Sequence, residues 1–108
     1  MHVKHIVMFT IQDDAPEEKV EAMKQGLLSL PKLVDGFIGF ELGVDLKLAA
    51  GQDHPAGKNR SIVWTAWFAS VPDYERYNES KEHIALVNDL IKPIIVPGSR
   101  AAIQYECH

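Results

Sequence analysis

The sequence predicts an α+β domain of ferredoxin-like β-α-β-β-α-β topology: one antiparallel sheet with two helices on one face. Three observations predict it. Residues 4–11 and 61–69 are apolar on both of their alternating faces, the pattern of strands covered on both sides. Residues 17–30 and 74–91 instead carry apolar residues at three- and four-residue steps, the period of a helix packed on one side. Turn-forming segments rich in Pro, Gly and Asp fall between these runs, and nothing in the chain reads as an interdomain linker, so residues 1–108 are expected to form a single domain.

The first strand places His5, Val7, Phe9 and Ile11 on one face and Ile6, Met8 and Thr10 on the other. His5 is its one titratable member within an apolar run. Pro16 opens the first helix, where its missing N–H costs nothing, and Glu17 and Glu18 suit the positive end of the helix dipole. Val20, Met23, Leu27, Leu28 and Leu30 form its apolar stripe, and Pro31 is expected to end or bend it. A turn at 32–36 leads to a second strand over 37–45, whose Gly39 and Gly43 predict a bulge or a close backbone approach. Residues 49–59 are loop by composition, and His54 within them reads as a solvated residue.

Residues 61–69 are the clearest strand, with Ser61, Val63, Thr65 and Trp67 on one face and Ile62, Trp64, Ala66 and Phe68 on the other. Ser70 and Pro72 signal a helix start. The following helical stretch is expected to break in the polar segment 78–82 and to carry Tyr77, Ile84, Val87, Leu90 and Ile91 on its inner stripe, with His83 at the start of its longer piece. Pro93 closes it. An extended connector, 94–100, leads to a last strand at 101–107.

Two helices cover only one face of such a sheet. The other face would carry Trp64 and Phe68, or Trp67, depending on the facing. An apolar patch of that size implies a partner, so the chain is expected to form a homodimer with the sheets face to face.

Charge and composition exclude several functions. Acidic residues outnumber basic ones 15 to 11, and no Lys/Arg cluster occurs, which argues against nucleic acid as a partner. No apolar segment approaches the roughly 20 residues needed to span a bilayer, and residues 6–9 are too short for a signal sequence. Cys107 is the one cysteine, so no internal disulfide forms, and a reducing cytoplasmic setting is the expectation. Neither a dinucleotide fingerprint nor a phosphate loop is present, and no cofactor is expected. His5 and His83 lack a third carboxylate or cysteine at metal-ligand spacing, so no metal site is expected.

The chain resembles the stress-responsive A/B barrel (Dabb) family of the dimeric α+β barrel superfamily over essentially its whole length. The resemblance rests on Val3-Lys4-His5-Ile6-Val7-Met8-Phe9, on Leu30-Pro31 with Gly36-Phe37, on the aromatic third strand followed by Ser70 and Asp73-Tyr74, and on Glu82-His83 with Ile91-Lys92-Pro93-Ile94. It implies a two-sheet dimeric barrel. Most members of the family have no assigned reaction. One plant branch, resembling olivetolic acid cyclase, closes a linear polyketide by aldol chemistry without a cofactor, using a Tyr and a His of the second helical region and further His residues on the first and third strands. The resemblance maps these roles onto Tyr77, His83 and His5. Ser61 stands in place of the third-strand His, and the family's His-Pro-x-His pattern reads Ser80-Lys81-Glu82-His83.

These residue types suit proton transfer at carbon. A neutral imidazole accepts a proton near neutral pH, and as a positioned base it contributes about 10² to 10⁴ in rate. A Tyr hydroxyl can donate to a developing enolate oxygen. With His5 on the helix side of the sheet, a pocket beside Tyr77 and His83 would have Val7, Phe9, Met23, Leu27, Ser61, Val63 and Val87 as its expected substrate-binding residues. The expected activity is a cofactor-free lyase, cyclase or isomerase acting on a carbonyl-containing small molecule. The alternatives are a non-catalytic dimer binding a small apolar ligand or acting in stress response, and a cofactorless monooxygenase.

Overall fold

A computed structural model describes residues 2–51 and 59–107, so His54 lies outside the described residues. The chain runs β1 (Val3–Phe9), α1 (Glu17–Leu33), β2 (Phe37–Val44), β3 (Ile62–Phe68), α2 (Val71–Glu79), α3 (Lys81–Leu86) and β4 (Ala101–Glu106), as the hydrophobic periodicities predict. The four strands form one sheet in the order β2-β3-β1-β4, and every neighbouring pair is antiparallel.

Strand alternation decides what each face carries. Val3, His5, Val7 and Phe9 of β1 are buried under the helices, with Ile62, Trp64, Ala66 and Phe68 of β3 beside them. The opposite face presents Ile6, Met8, Val63, Trp67, Ile103 and Tyr105, joined by the pairings Ile6–Thr65, Met8–Val63 and Ile6–Ile103. Trp64 and Phe68 are thus core, and Trp67 belongs to the uncovered face. Ile103 there is 57% exposed, which marks this face as one still lacking a cover.

Gly39 explains how that face is shaped. It pairs with Trp67, and a Cβ at position 39 would lie 2.2 Å from the indole ring. The missing side chain lets the indole lie across β2, and the strand bulges beside it, between Phe37 and Gly39.

α1 buries Met23, Leu27 and Leu30 against the sheet. It does not stop at Pro31 but runs to Leu33. Pro31 lies in the last turn, where the helix forfeits one N–H bond and gains no further turn to distort.

The second helical region breaks where the polar segment predicts, at Ser80, whose backbone is extended. The Ser80 hydroxyl donates to the Tyr77 carbonyl at 2.8 Å and accepts from the His83 N–H at 3.2 Å. One side chain thus closes α2 and opens α3. The break also resets the helical phase. Tyr77 and Ile84, two turns apart in an unbroken helix, do not share a face: Tyr77 is buried, Ile84 is 48% exposed, and Leu86 points inward instead. α3 continues into a π-helical turn, Val87–Ile91, and a short 3₁₀ turn, Lys92–Ile94, that contains Pro93.

Candidate active site

β1 and the Ser80 break bring three rings together. His5 lies on the helix side of β1 and is 4% exposed. Tyr77 is on the inner face of α2, with its ring centre 5.8 Å from that of His5. His83, in the first turn of α3, lies 4.6 Å from Tyr77 on the same measure. Tyr74, one helical turn before Tyr77, packs 5.3 Å from His5. Phe37 and Phe68 complete the aromatic wall around Tyr77, at 5.2 and 5.3 Å.

Hydrogen bonds assign each ring a distinct protonation. The His83 Nδ1 lies 3.1 Å from the Asn78 carbonyl oxygen, which can only accept. Nδ1 therefore carries the proton, and the Nε2 lone pair is left as a base. Burial lowers the His83 pKa below its ordinary value; the Asn78 bond opposes this, and the Arg100 charge reinforces it. His5 has the reverse arrangement. The Gln104 amide donates to its Nδ1 at 2.9 Å, which leaves the proton on Nε2. Burial, then the nearby charges of His83 and Arg100, bring its pKa down to about 4, so His5 is a neutral N–H donor at physiological pH. The Tyr77 hydroxyl accepts from the Trp64 indole N–H at 3.2 Å, which leaves its own proton free to be donated. Burial pushes its pKa up to about 12, partly offset by the Trp64 bond. The cluster therefore combines two neutral donors with one neutral base.

The predicted apolar lining is a different matter. Val7, Phe9, Met23 and Leu27 belong to one close-packed core cluster, and Val87 packs against its edge. They fill the space between helices and sheet rather than bordering a cavity. Val63 faces away from the helices, since it pairs with Met8 and shares the opposite side. Ser61 lies beyond the other end of β3, where its hydroxyl accepts from the Ile11 N–H at 3.1 Å. His5 pairs with Ala66, five residues from Ser61, or about 16 Å along the strand. Ser61 thus cannot replace a third histidine at this cluster. It borders instead a cavity of about 690 Å³ shared with Thr10, Asp45 and Lys24.

A second cavity, of about 450 Å³, runs between α2 and β4 and is bordered by Tyr74 and Gln104, the two residues that touch His5 from outside. None of the three rings lines it; Tyr74 and Gln104 stand between it and His5. Tyr74, Asn78 and Gln104 thus join the ring cluster, though sequence reasoning placed none of them in the site. The one-turn spacing of Tyr74 and Tyr77 was a usable signal for the first. Gln104 needed the register of β4 against β1, which no local pattern contains. No group of three or more His, Cys, Asp or Glu residues among those described could hold a metal ion, and no described helix is long and apolar enough to cross a membrane.

The model of the stress responsive A/B barrel domain family matches residues 3–107, and the chain belongs to that family. No curated protein matches it. Among solved structures it is similar to a dimeric ferredoxin-like protein of unknown function from Thermobifida fusca, at 25% identity and a TM-score of 0.79, covering 99% of this chain and 92% of that one. It also shares its fold with the hydroxynitrile lyase of Passiflora edulis, at 17% identity and a TM-score of 0.80, covering 96% and 91% of the two chains. A third likeness is to SnoaB, a cofactor-independent oxygenase of Streptomyces nogalater, at 11% identity and a TM-score of 0.73, covering 99% and 93%.

Proposed function

We propose that this stress responsive A/B barrel protein is a homodimeric, cofactor-free enzyme that moves a proton at a carbon beside a carbonyl, as a lyase, cyclase or isomerase does. The observation that carries the reading is the division of protonation states among three rings that meet at Tyr77, 5.8 Å from His5 and 4.6 Å from His83. His83 presents Nε2 as a base because Asn78 holds its other nitrogen as a donor. Tyr77 and His5 present O–H and N–H donors that burial keeps from changing state near neutral pH.

Tyr77 and His5 are 1% and 4% exposed, so a substrate carbonyl would enter between them only as Tyr74 or Gln104 moves away from His5; its oxygen would then be hydrogen-bonded by both. His83 would remove the adjacent C–H proton, the bonding pair would become the enolate double bond, and the negative charge would fall on the oxygen facing the two donors. Paired groups whose environments push their pKa values apart are the usual means of running acid and base steps together. The enolate carbon could then attack a second carbonyl or be reprotonated by the His83 imidazolium. The dimer is supported by the uncovered face bearing Trp67, Ile103 and Tyr105 and by the dimeric state of the Thermobifida protein.

A thermal-shift screen of the full chain with aromatic acids and polyketide-like ketones, repeated on His83→Ala, tests whether His83 borders the site. Ligands are expected to stabilise the native protein more than the variant. Equal stabilisation of both would place His83 outside the site.

A further inference from the structure

We propose that the cavity between α2 and β4 binds a small organic cation, a primary ammonium on a short apolar body, and that Glu75 and Glu106 hold the ammonium. This site is separate from the chemistry proposed for His5, Tyr77 and His83, and it stands whether or not those rings catalyse a reaction.

β4 is an edge strand, and α2 packs on its neighbours β1 and β3. A cavity of about 450 Å³ occupies the step between helix and edge strand. Register decides what β4 contributes to it. Gln104 pairs with His5 and Glu106 with Val3, and both partners are buried on the helix side, so Gln104 and Glu106 project to that side. From the helix come Val71, Tyr74 and Glu75, which share one face of α2 by their three- and four-residue spacing. Val3 lies at the base. The walls are therefore apolar at Val3, Val71 and the Tyr74 ring, and Val71 is 48% exposed beside this open space.

The polar groups around these walls are acceptors. Glu75 and Glu106 bring one carboxylate each from two different elements, and among the described residues neither forms an ion pair or a side-chain hydrogen bond. The Gln104 amide nitrogen is engaged in donating to the His5 Nδ1, which leaves the amide oxygen as an acceptor. No Lys, Arg or His among the described residues borders the cavity. Arg76, beside Glu75 in the chain, is bound to Asp73 at 2.8 Å, and Lys4, beside Val3, lies over the Trp67 ring on the opposite face of the sheet. The chain thus brings two negative charges to one apolar cavity and no cation of its own. A primary ammonium carries three donors and no acceptor, which suits this set, whereas an anion is repelled by it. Gln104 and Glu106 lie two residues apart, about 7 Å along the strand, so one ammonium fits between their side chains. A ring attracts a cation over its face, and Tyr74 supplies one. Val3 and Val71 take the apolar body, as is usual for a small-molecule site with few polar groups.

Benzylammonium and benzyl alcohol, nearly equal in shape and different in charge, test this by NMR titration of the Val3 and Val71 methyl signals in the full chain at neutral pH. Native protein is expected to bind benzylammonium about tenfold more tightly than benzyl alcohol, since exposed ion pairs and a cation over a ring each add modestly. Glu75→Gln and Glu106→Gln are each expected to lose about threefold in benzylammonium affinity, and the double variant to lose the preference over benzyl alcohol altogether. Both side chains are exposed, so these variants keep the fold. Native protein that binds both probes equally or neither, or a double variant that binds benzylammonium as native does, overturns the proposal. The reaction is judged separately. His83→Ala is expected to bind benzylammonium as the native chain does, because His83 does not border the cavity. Loss of binding in that variant would put the cation at the rings and overturn the proposal. If benzylammonium follows Glu75 and Glu106 while His83→Ala keeps full proton-transfer activity, the cation site stands and the catalytic reading falls.

Discussion

The folded state holds His5 as a neutral donor, and that has a measurable consequence. Its pKa is about 4 in the folded chain against an ordinary 6.5. Between those values the unfolded chain binds more protons, so stability falls as pH falls. It is intact above pH 6.5 and progressively lost toward pH 4, by about 3 kcal/mol from this residue. His83, also lowered, adds in the same direction. Chemical denaturation of His5→Gln across this window should therefore show a shallower loss than the native chain, and an unchanged slope would mean that His5 does not titrate from a buried state. His5 stood out in the sequence as the titratable member of an apolar run, whereas Tyr77 and His83 were singled out by the resemblance to the stress responsive A/B barrel family. Their roles were not legible, since the tautomer of His83 depends on the Asn78 carbonyl and that of His5 on a residue 99 positions away. The pocket lining was misread for a related reason. Apolar residues on the correct face indicate burial, but not whether the space between them is filled.

Ser80 is where an element sets the site. Its hydroxyl is shared between the Tyr77 carbonyl and the His83 N–H, so the geometry between acid and base is fixed by one turn. Ser80→Ala should cost about 1 kcal/mol in unfolding free energy through the lost cap. It should also lower kcat more than that loss of stability would explain, because His83 loses its anchor. A variant with native kcat at a temperature where it is fully folded would show that α3 is held by other contacts. The break itself was foreseeable from the polar run 78–82, whereas the new helical phase beyond it was not. Periodicity assumes one continuous helix, so Ile84 was placed inward and Leu86 was missed. The strands were easier to read, because alternation survives within each of them and the glycines of β2 marked the bulge. What alternation alone could not decide was which face of β3 meets the helices, and pairing with β1 decides it.

At the scale of the whole molecule, the sheet divides the labour. One face builds the core and the three-ring cluster; the other carries Trp67, Met8, Ile103 and Tyr105 and, in the proposed dimer, meets its copy. Trp67→Glu places a charge at the centre of that face. The native chain should sediment at twice 12.1 kDa and the variant at the mass of one chain. A native mass of one chain at micromolar concentration would remove the dimer from the account. The overall fold followed from the order of periodic segments, which is a global property of the sequence. The substrate is not encoded in that way, because it depends on side chains that only the fold brings beside His5, Tyr77 and His83.

The central claim is that His83 is the base of a proton transfer at carbon. The direct measurement is solvent exchange, by NMR in deuterium oxide, of the protons beside the carbonyl in ketones that bind the native protein, compared with His83→Ala. The account predicts exchange catalysed by the native chain and lowered about 10² to 10⁴-fold in the variant, the usual contribution of a positioned base. The native rate should also hold to lower pH than a base of ordinary imidazole pKa would allow, because burial lowers the His83 pKa. Exchange at the native rate in folded His83→Ala, or no exchange by the native protein, would contradict it.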